Sequence, residues 1–200
     1  MSEEEDIKVI FVGEPGTGKT SLINVSVGEN FERDLISTTA SSFSPKKFNK
    51  NGKVYTLNLW DTAGQERFRS MTKLFIKNSK IVILVYAIDS EVTFEGLKEF
   101  WLKTIKESLG DEPIYAIVGN KSDLFLKEKI QESVVREYAQ NLGIKFTLAS
   151  AKESPKDFVV FLESLLDDYL SKKGIVINNN KAIKLSNQDN NGKQKKKCCI

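Results

Sequence analysis

An α/β domain on a mostly parallel, six-stranded sheet, with helices on both faces and one antiparallel edge strand, is the fold that this sequence of 200 residues predicts. Three observations carry that expectation. Runs at 7–12, 81–86 and 114–119 are continuously apolar, as in strands covered on both faces. Segments of helical periodicity at 21–27, 94–109, 133–142 and 157–170 alternate with them, the order of a parallel sheet with crossover helices. The third observation is local: 42–48 and 54–60 flank Asn51-Gly52, a strong hairpin signal, so these strands pair antiparallel at one edge.

Composition bounds what such a domain can do. Hydrophobic residues make up 40% of the chain, enough for one sizeable core, and no apolar stretch approaches the roughly 18 residues of a membrane span. The first six residues are acidic rather than signal-like, so a cytosolic protein is expected. There is no histidine, which excludes His-based acid–base catalysis, His metal sites and Ser-His or Cys-His nucleophile pairs. The net charge of +3 hides an asymmetry. Residues 172–200 hold eight lysines and one acid, Asp189, while the rest holds 22 basic and 26 acidic residues. A basic folded face with interleaved aromatics is missing, so nucleic acid is not an expected partner. The expected organisation is an acidic extension at 1–6, a folded domain at 7–171 and a disordered basic tail at 172–200.

Taken in order, the first strand runs into Gly13-Glu14-Pro15-Gly16-Thr17-Gly18-Lys19-Thr20 and then a helix. A glycine-rich loop between strand and helix cradles phosphates: Gly13, Gly16 and Gly18 let backbone N–H groups converge, with Thr17 between them. Lys19 reaches the outer phosphates and the Thr20 hydroxyl can ligate Mg²⁺. This predicts a nucleoside triphosphate site. After the hairpin comes Asp61-Thr62-Ala63-Gly64-Gln65-Glu66. There Asp61 can hold a water on Mg²⁺, the Gly64 N–H can bond the γ-phosphate, and Gln65 can orient an attacking water.

Asn120-Lys121-Ser122-Asp123 follows the strand at 114–119, at the carboxyl edge where open α/β sheets bind ligands. Asp123 can accept two hydrogen bonds from adjacent N–H groups, a pair that guanine presents and adenine lacks. Ser150-Ala151-Lys152, after a further strand-like run, offers a backbone N–H to the guanine carbonyl. Ser154-Pro155 then suits a helix start, with Ser154 as cap. In the tail, Cys198 and Cys199 stand beside Lys195-Lys196-Lys197, where lipidation beside a polybasic patch is the reading favoured over two free thiols.

In this order the four segments resemble the Ras-type small GTPases over residues 7–170, and Arg67-Phe68-Arg69-Ser70-Met71-Thr72 with the doubled cysteine resembles the Rab branch. The resemblance implies a P-loop NTPase G domain that binds GTP or GDP with Mg²⁺ and hydrolyses GTP with Gln65 positioning water. It implies that Ser21 joins the nucleotide-binding residues, that Phe31 lies edge-on to guanine, and that Thr38 is the switch I threonine that ligates Mg²⁺ beside Thr20. It further implies an exchange factor, an activating protein that brings an arginine finger, an escort protein, a GDP-dissociation inhibitor and effectors. The chain is then a monomer that attaches reversibly through two prenyl groups on Cys198 and Cys199 to the cytosolic face of intracellular membranes. Thr39-Ala40-Ser41-Ser42-Phe43 departs from the commonest Rab pattern and is closer to endosomal Rabs. Leu35 replaces a tyrosine of many relatives, and Pro15 stands nearest the catalytic water, where its compact ring is expected to leave hydrolysis intact. These departures keep a second reading open, a GTP-binding module with little hydrolysis. A P-loop kinase is the third, which Asp123 argues against.

Overall fold

The computed structural model describes residues 4–33, 38, 42–62 and 75–175. Its strands are β1 Glu4–Val12, β2 Ser42–Lys50, β3 Lys53–Asp61, β4 Ile81–Ala87, β5 Ile114–Asn120 and β6 Lys145–Leu148. They form one sheet in the order β2-β3-β1-β4-β5-β6, parallel throughout except for β2 against β3. The helices are α1 Lys19–Val27, α2 Glu91–Gly96, α3 Lys103–Leu109, α4 Glu132–Asn141 and α5 Pro155–Lys172. A π-helical turn, Leu97–Leu102, joins α2 to α3, and a 3₁₀ segment, Ser122–Lys127, follows β5.

The continuous apolar runs are explained by two cores. Alternate residues Ile7, Val9 and Phe11 of β1 and Ile81, Ile83 and Val85 of β4 pack with Leu22 of α1 and Phe158, Leu162 and Leu166 of α5. Their neighbours Ile10, Val12, Val82, Leu84 and Tyr86 pack on the other face with Phe94, Leu97, Trp101, Ile105 and Val135. Every residue of β4 is therefore buried, since side chains of a strand alternate between faces and both are covered. The hairpin has a two-residue turn between Lys50 and its partner Lys53. Asn51 and Gly52 both take positive φ, 53° and 77°, the combination that matches the twist of the flanking strands.

Long-range charge pairs extend the structure beyond the apolar pattern. β1 begins at Glu4, within the acidic stretch that composition reads as an extension. Glu4 accepts the Thr56 hydroxyl and pairs with Lys47 at 2.7 Å, and Glu5 pairs with Lys53 at 3.1 Å and Lys173 at 2.7 Å. At the other end Lys172 donates to the carbonyls of Asp111 and Glu112, and Ile175 packs against the first core. The chain thus leaves the described body at the edge where the parallel strands begin. Residues 176–200, with Cys198 and Cys199, lie outside the described residues. Ser154 does precede α5 and Pro155 opens it, but the Ser154 hydroxyl makes no capping bond; its carbonyl accepts the Asp157 N–H instead.

β1 sits between β3 and β4, so the chain goes to one side of it for β2 and β3 and to the other for β4. The loop after β1 therefore opens at the point where the strand order reverses, the ligand-binding crevice of open α/β sheets. The register brings Ala87 level with Asn120, so the loops after β4 and β5 rise at that same edge.

Candidate functional site

The loop from Gly13 to Lys19 is shaped by what surrounds it. A Cβ on Gly13 would lie 2.1 Å from the Val85 carbonyl oxygen, and one on Gly18 would lie 2.3 Å from Asn120 Nδ2, so both positions need glycine for close approach. Lys19 opens α1 but is buried, 6% exposed, and its Nζ donates to the carbonyls of Gly13 at 3.0 Å and Glu14 at 3.1 Å. An ammonium has three N–H groups, which leaves one for the cavity in front of it.

That cavity, of about 390 Å³, is lined by Gly16, Gly18, Lys19, Thr20, Ser21, Phe31 and Thr38 from the first part of the chain and by Asn120, Lys121, Asp123, Ala151 and Lys152 from the second. Residues from four separate stretches of sequence are thereby brought to one place. Thr17, Asp61 and Ser150 lie buried beneath the cavity. Gly64 and Gln65 fall outside the described residues, as does Leu35. Glu32, Arg33, Thr62 and Leu124 also line the cavity or its mouth and were not legible in the sequence; Leu124 carries only the positional signal of following Asp123.

The structure refines what several of these side chains do. Asn120 is 2% exposed and its amide is used within the protein. It donates to the Thr17 carbonyl at 2.8 Å and accepts from the Ala151 N–H at 3.4 Å, so it braces the phosphate loop against the segment at 150–152. The Thr17 hydroxyl donates to the Glu14 carbonyl, which leaves only its backbone to face a ligand. Ser150 donates its hydroxyl to Asp123 Oδ1 at 2.7 Å, which orients that carboxylate in the cavity wall. Lys121 faces Asp89 at 3.7 Å, an acid that sequence reading did not connect with it.

At the floor of the phosphate end, Thr20 Oγ1 and Thr38 Oγ1 stand 2.9 Å apart and both donate to Asp61 Oδ2, at 2.7 and 3.0 Å. Asp61 is 4% exposed, and its Oδ1 has no hydrogen-bond partner among the described residues. A buried carboxylate oxygen left over beside two hydroxyls is a hard-oxygen donor set that fits Mg²⁺. Among the described residues no three His, Cys, Asp or Glu side chains are grouped so that they could hold a metal ion. The set therefore suits an ion completed by phosphate and water rather than caged by protein.

Burial pushes the Lys19 ammonium down to about 8, with Asp61 and Glu14 pulling back toward charge. The sign follows from linkage. Between about 8 and its ordinary 10.5 the unfolded chain holds a proton that the folded chain has shed, so stability of the nucleotide-free protein rises with pH there. Phosphate binding works the other way, since it needs the charged form. Nucleotide binding is thus expected to take up about half a proton at pH 8 and almost none at pH 6.5. Calorimetry in buffers of different ionisation enthalpy reads this directly, and equal enthalpies at pH 8 would refute it.

Comparison with known proteins gives a consistent family. The Ras family profile matches residues 8–167. The chain is 34% identical over 202 residues to the Ras-related protein SEC4 of Saccharomyces cerevisiae, covering 99% of this chain and 93% of that one. It is 38% identical over 176 residues to the Ras-related protein Rab-13 of Bos taurus, covering 87% and 86%. To the Ras-related protein Rab-21 of Homo sapiens it is 38% identical over 156 residues, covering 78% and 69%.

Proposed function

Because the chain belongs to the Ras family of small GTPases, in its Rab branch, we propose that it is a membrane-traffic switch that binds GTP in the cavity between Lys19 and Asp123, hydrolyses it slowly and recruits effectors only in the GTP form. The observation that carries this reading is the meeting of Thr20, Thr38 and Asp61, hydroxyls and carboxylate from three separate segments within 3.0 Å of one another. Thr38 comes from the connection between α1 and β2. A segment tied to the ion and the γ-phosphate through one such residue is ordered by the triphosphate and released when it is cut.

In the reaction a water oxygen bonds to the γ-phosphorus, the bond from that phosphorus to the bridging oxygen breaks, and the charge leaves on GDP. Lys19 and the loop N–H groups stabilise this charge, and Gln65 orients the water. Thr20, Thr38 and, through water, Asp61 would hold Mg²⁺, which neutralises charge on the phosphate oxygens. Phe31 and Asp123 would hold guanine, with Ser150 and Asn120 keeping that wall in place. The phosphate loop carries no arginine, which supports slow turnover until an activating protein supplies one. Phe43, half-exposed and stacked on Trp60 at 5.1 Å, gives effectors an aromatic surface beside Thr38 and Asp61.

A single-turnover GTP assay tests the reading: Gln65→Leu should slow hydrolysis at least tenfold while leaving guanine-nucleotide affinity unchanged. Amide exchange around residues 31–43 should loosen as wild type turns over. Equal rates in wild type and Gln65→Leu would favour the second reading, a binding module with little hydrolysis, which Pro15 in the cavity lining keeps alive.

No helix among the described residues is long and apolar enough to cross a membrane. Attachment is proposed through prenyl groups on Cys198 and Cys199, added with the help of an escort protein and masked by a GDP-dissociation inhibitor, with an endosomal membrane as the favoured address. Two chains anchor stably where one is marginal, and the tail lysines add attraction to an anionic leaflet. Intact mass of the protein from its native cell should show both additions; an unmodified pair of cysteines would end this part of the proposal.

A further inference from the structure

Glu14 is the residue of the phosphate loop whose side chain reaches into the second core. Its Oε1 accepts the indole N–H of Trp101 at 3.0 Å, and Trp101 is fully buried in the π-helical turn that follows α2. The route passes a notch. A Cβ on Gly96 would stand 2.7 Å from both Cγ and Oε1 of Glu14. Gly96 has ordinary helical dihedrals, φ −59° and ψ −36°, where alanine is the better helix former. Backbone geometry does not call for a glycine there; the passage of the Glu14 side chain does.

The main chain of the same residue faces the other way. The Glu14 carbonyl accepts both Lys19 Nζ at 3.1 Å and the Thr17 hydroxyl at 3.0 Å. Pro15 follows, and a residue before proline is confined to extended conformations, so a fixed side chain leaves the carbonyl little freedom. The carbonyls of Gly13 and Glu14 take two of the three ammonium donors, and where they stand sets the direction of the third.

We infer that Glu14 is a positioning residue for the phosphate site: its bond to Trp101 through the Gly96 notch fixes the carbonyl that aims Lys19. The stretch from α2 into the π-helical turn thereby holds the cation that meets the outer phosphates, without touching the nucleotide. This rests on the guanine-nucleotide reading above and deepens it by naming what sets the loop.

The test is the dissociation rate of a fluorescent GDP from the full-length chain, with the melting temperature recorded for each variant. Gly96→Ala fills the notch while leaving Glu14, Trp101 and the loop in place. It should speed dissociation about tenfold while the melting temperature holds or rises, a combination that a purely structural role does not produce. Glu14→Ala and Trp101→Phe should speed dissociation to a similar extent, and the double variant should be no faster than either, since both remove one interaction. Glu14→Gln keeps an oxygen acceptor for the indole and should regain most of the wild-type rate. Wild-type dissociation from folded Gly96→Ala, or rates that multiply in the double variant, would overturn the proposal. Should Trp101→Phe fail to fold, Gly96→Ala and the two Glu14 variants decide it. Wild type that takes up no fluorescent GDP would instead remove the nucleotide reading beneath it.

Discussion

Asp123→Asn is expected to lower affinity for guanine nucleotides by about 10⁴-fold and to turn the preference toward xanthine nucleotides. The carboxylate of Asp123 has two acceptor oxygens, and Ser150 occupies Oδ1 with its hydroxyl at 2.7 Å. In asparagine the oxygen held by Ser150 keeps a second lone pair for the ring N–H of the base, while NH₂ takes the place of the other carboxylate oxygen. The asparagine NH₂ and the guanine NH₂ then face each other as two donors, a desolvated pair of like groups left unbonded. Xanthine carries a carbonyl where guanine has its amino group and restores the match. Competition binding with the two nucleotide types reads the result, and unchanged GDP affinity would withdraw Asp123 from the base site.

Lys19→Met should cost nucleotide affinity about 10²-fold, because the one charge-assisted hydrogen bond left for the phosphates, at about 1.5–3 kcal/mol, cannot be replaced by a thioether. The melting temperature of the nucleotide-free chain is expected to stay near that of wild type. Removing an ammonium that burial has pushed down to about 8 relieves a desolvation cost, and this offsets the Gly13 carbonyl left without its donor. Stability and binding therefore separate in this variant. Thermal melts with and without GDP measure both, and a variant that GDP still stabilises as fully as wild type would refute the assignment of Lys19 to the phosphates.

The strands at the centre of the sheet were legible because burial on both faces writes an uninterrupted apolar run, as in β4, and the hairpin because Asn51-Gly52 meets a backbone requirement few other pairs meet. The phosphate loop was legible for the same kind of reason, since Gly13 and Gly18 stand where a Cβ cannot. What escaped reading depends on partners distant in sequence. Glu4 and Glu5 look like a solvated extension until Lys47, Lys53 and Lys173 are folded against them. Asn120 looks like a base reader, yet its amide spans 103 residues to brace Thr17. The interruption of the helix at 94–109 by a π-helical turn has no periodic signature, because one extra residue in a turn leaves the apolar spacing nearly intact.

The ion pairs that hold the start of β1 and the end of α5 together also set where the tail leaves the body. Lys172, Lys173 and Ile175 fasten the last described turn to the edge where the parallel strands begin, and the cavity opens at the edge where they end. The anchor proposed at Cys198 is 23 residue steps from Ile175, a cord of at most about 80 Å. Under the attachment proposed above, the tail departs from the edge opposite the nucleotide mouth, and so long a cord lets that mouth face away from the lipid. Whatever loads, empties or reads the cavity can approach from open solvent, without contending with the bilayer for space.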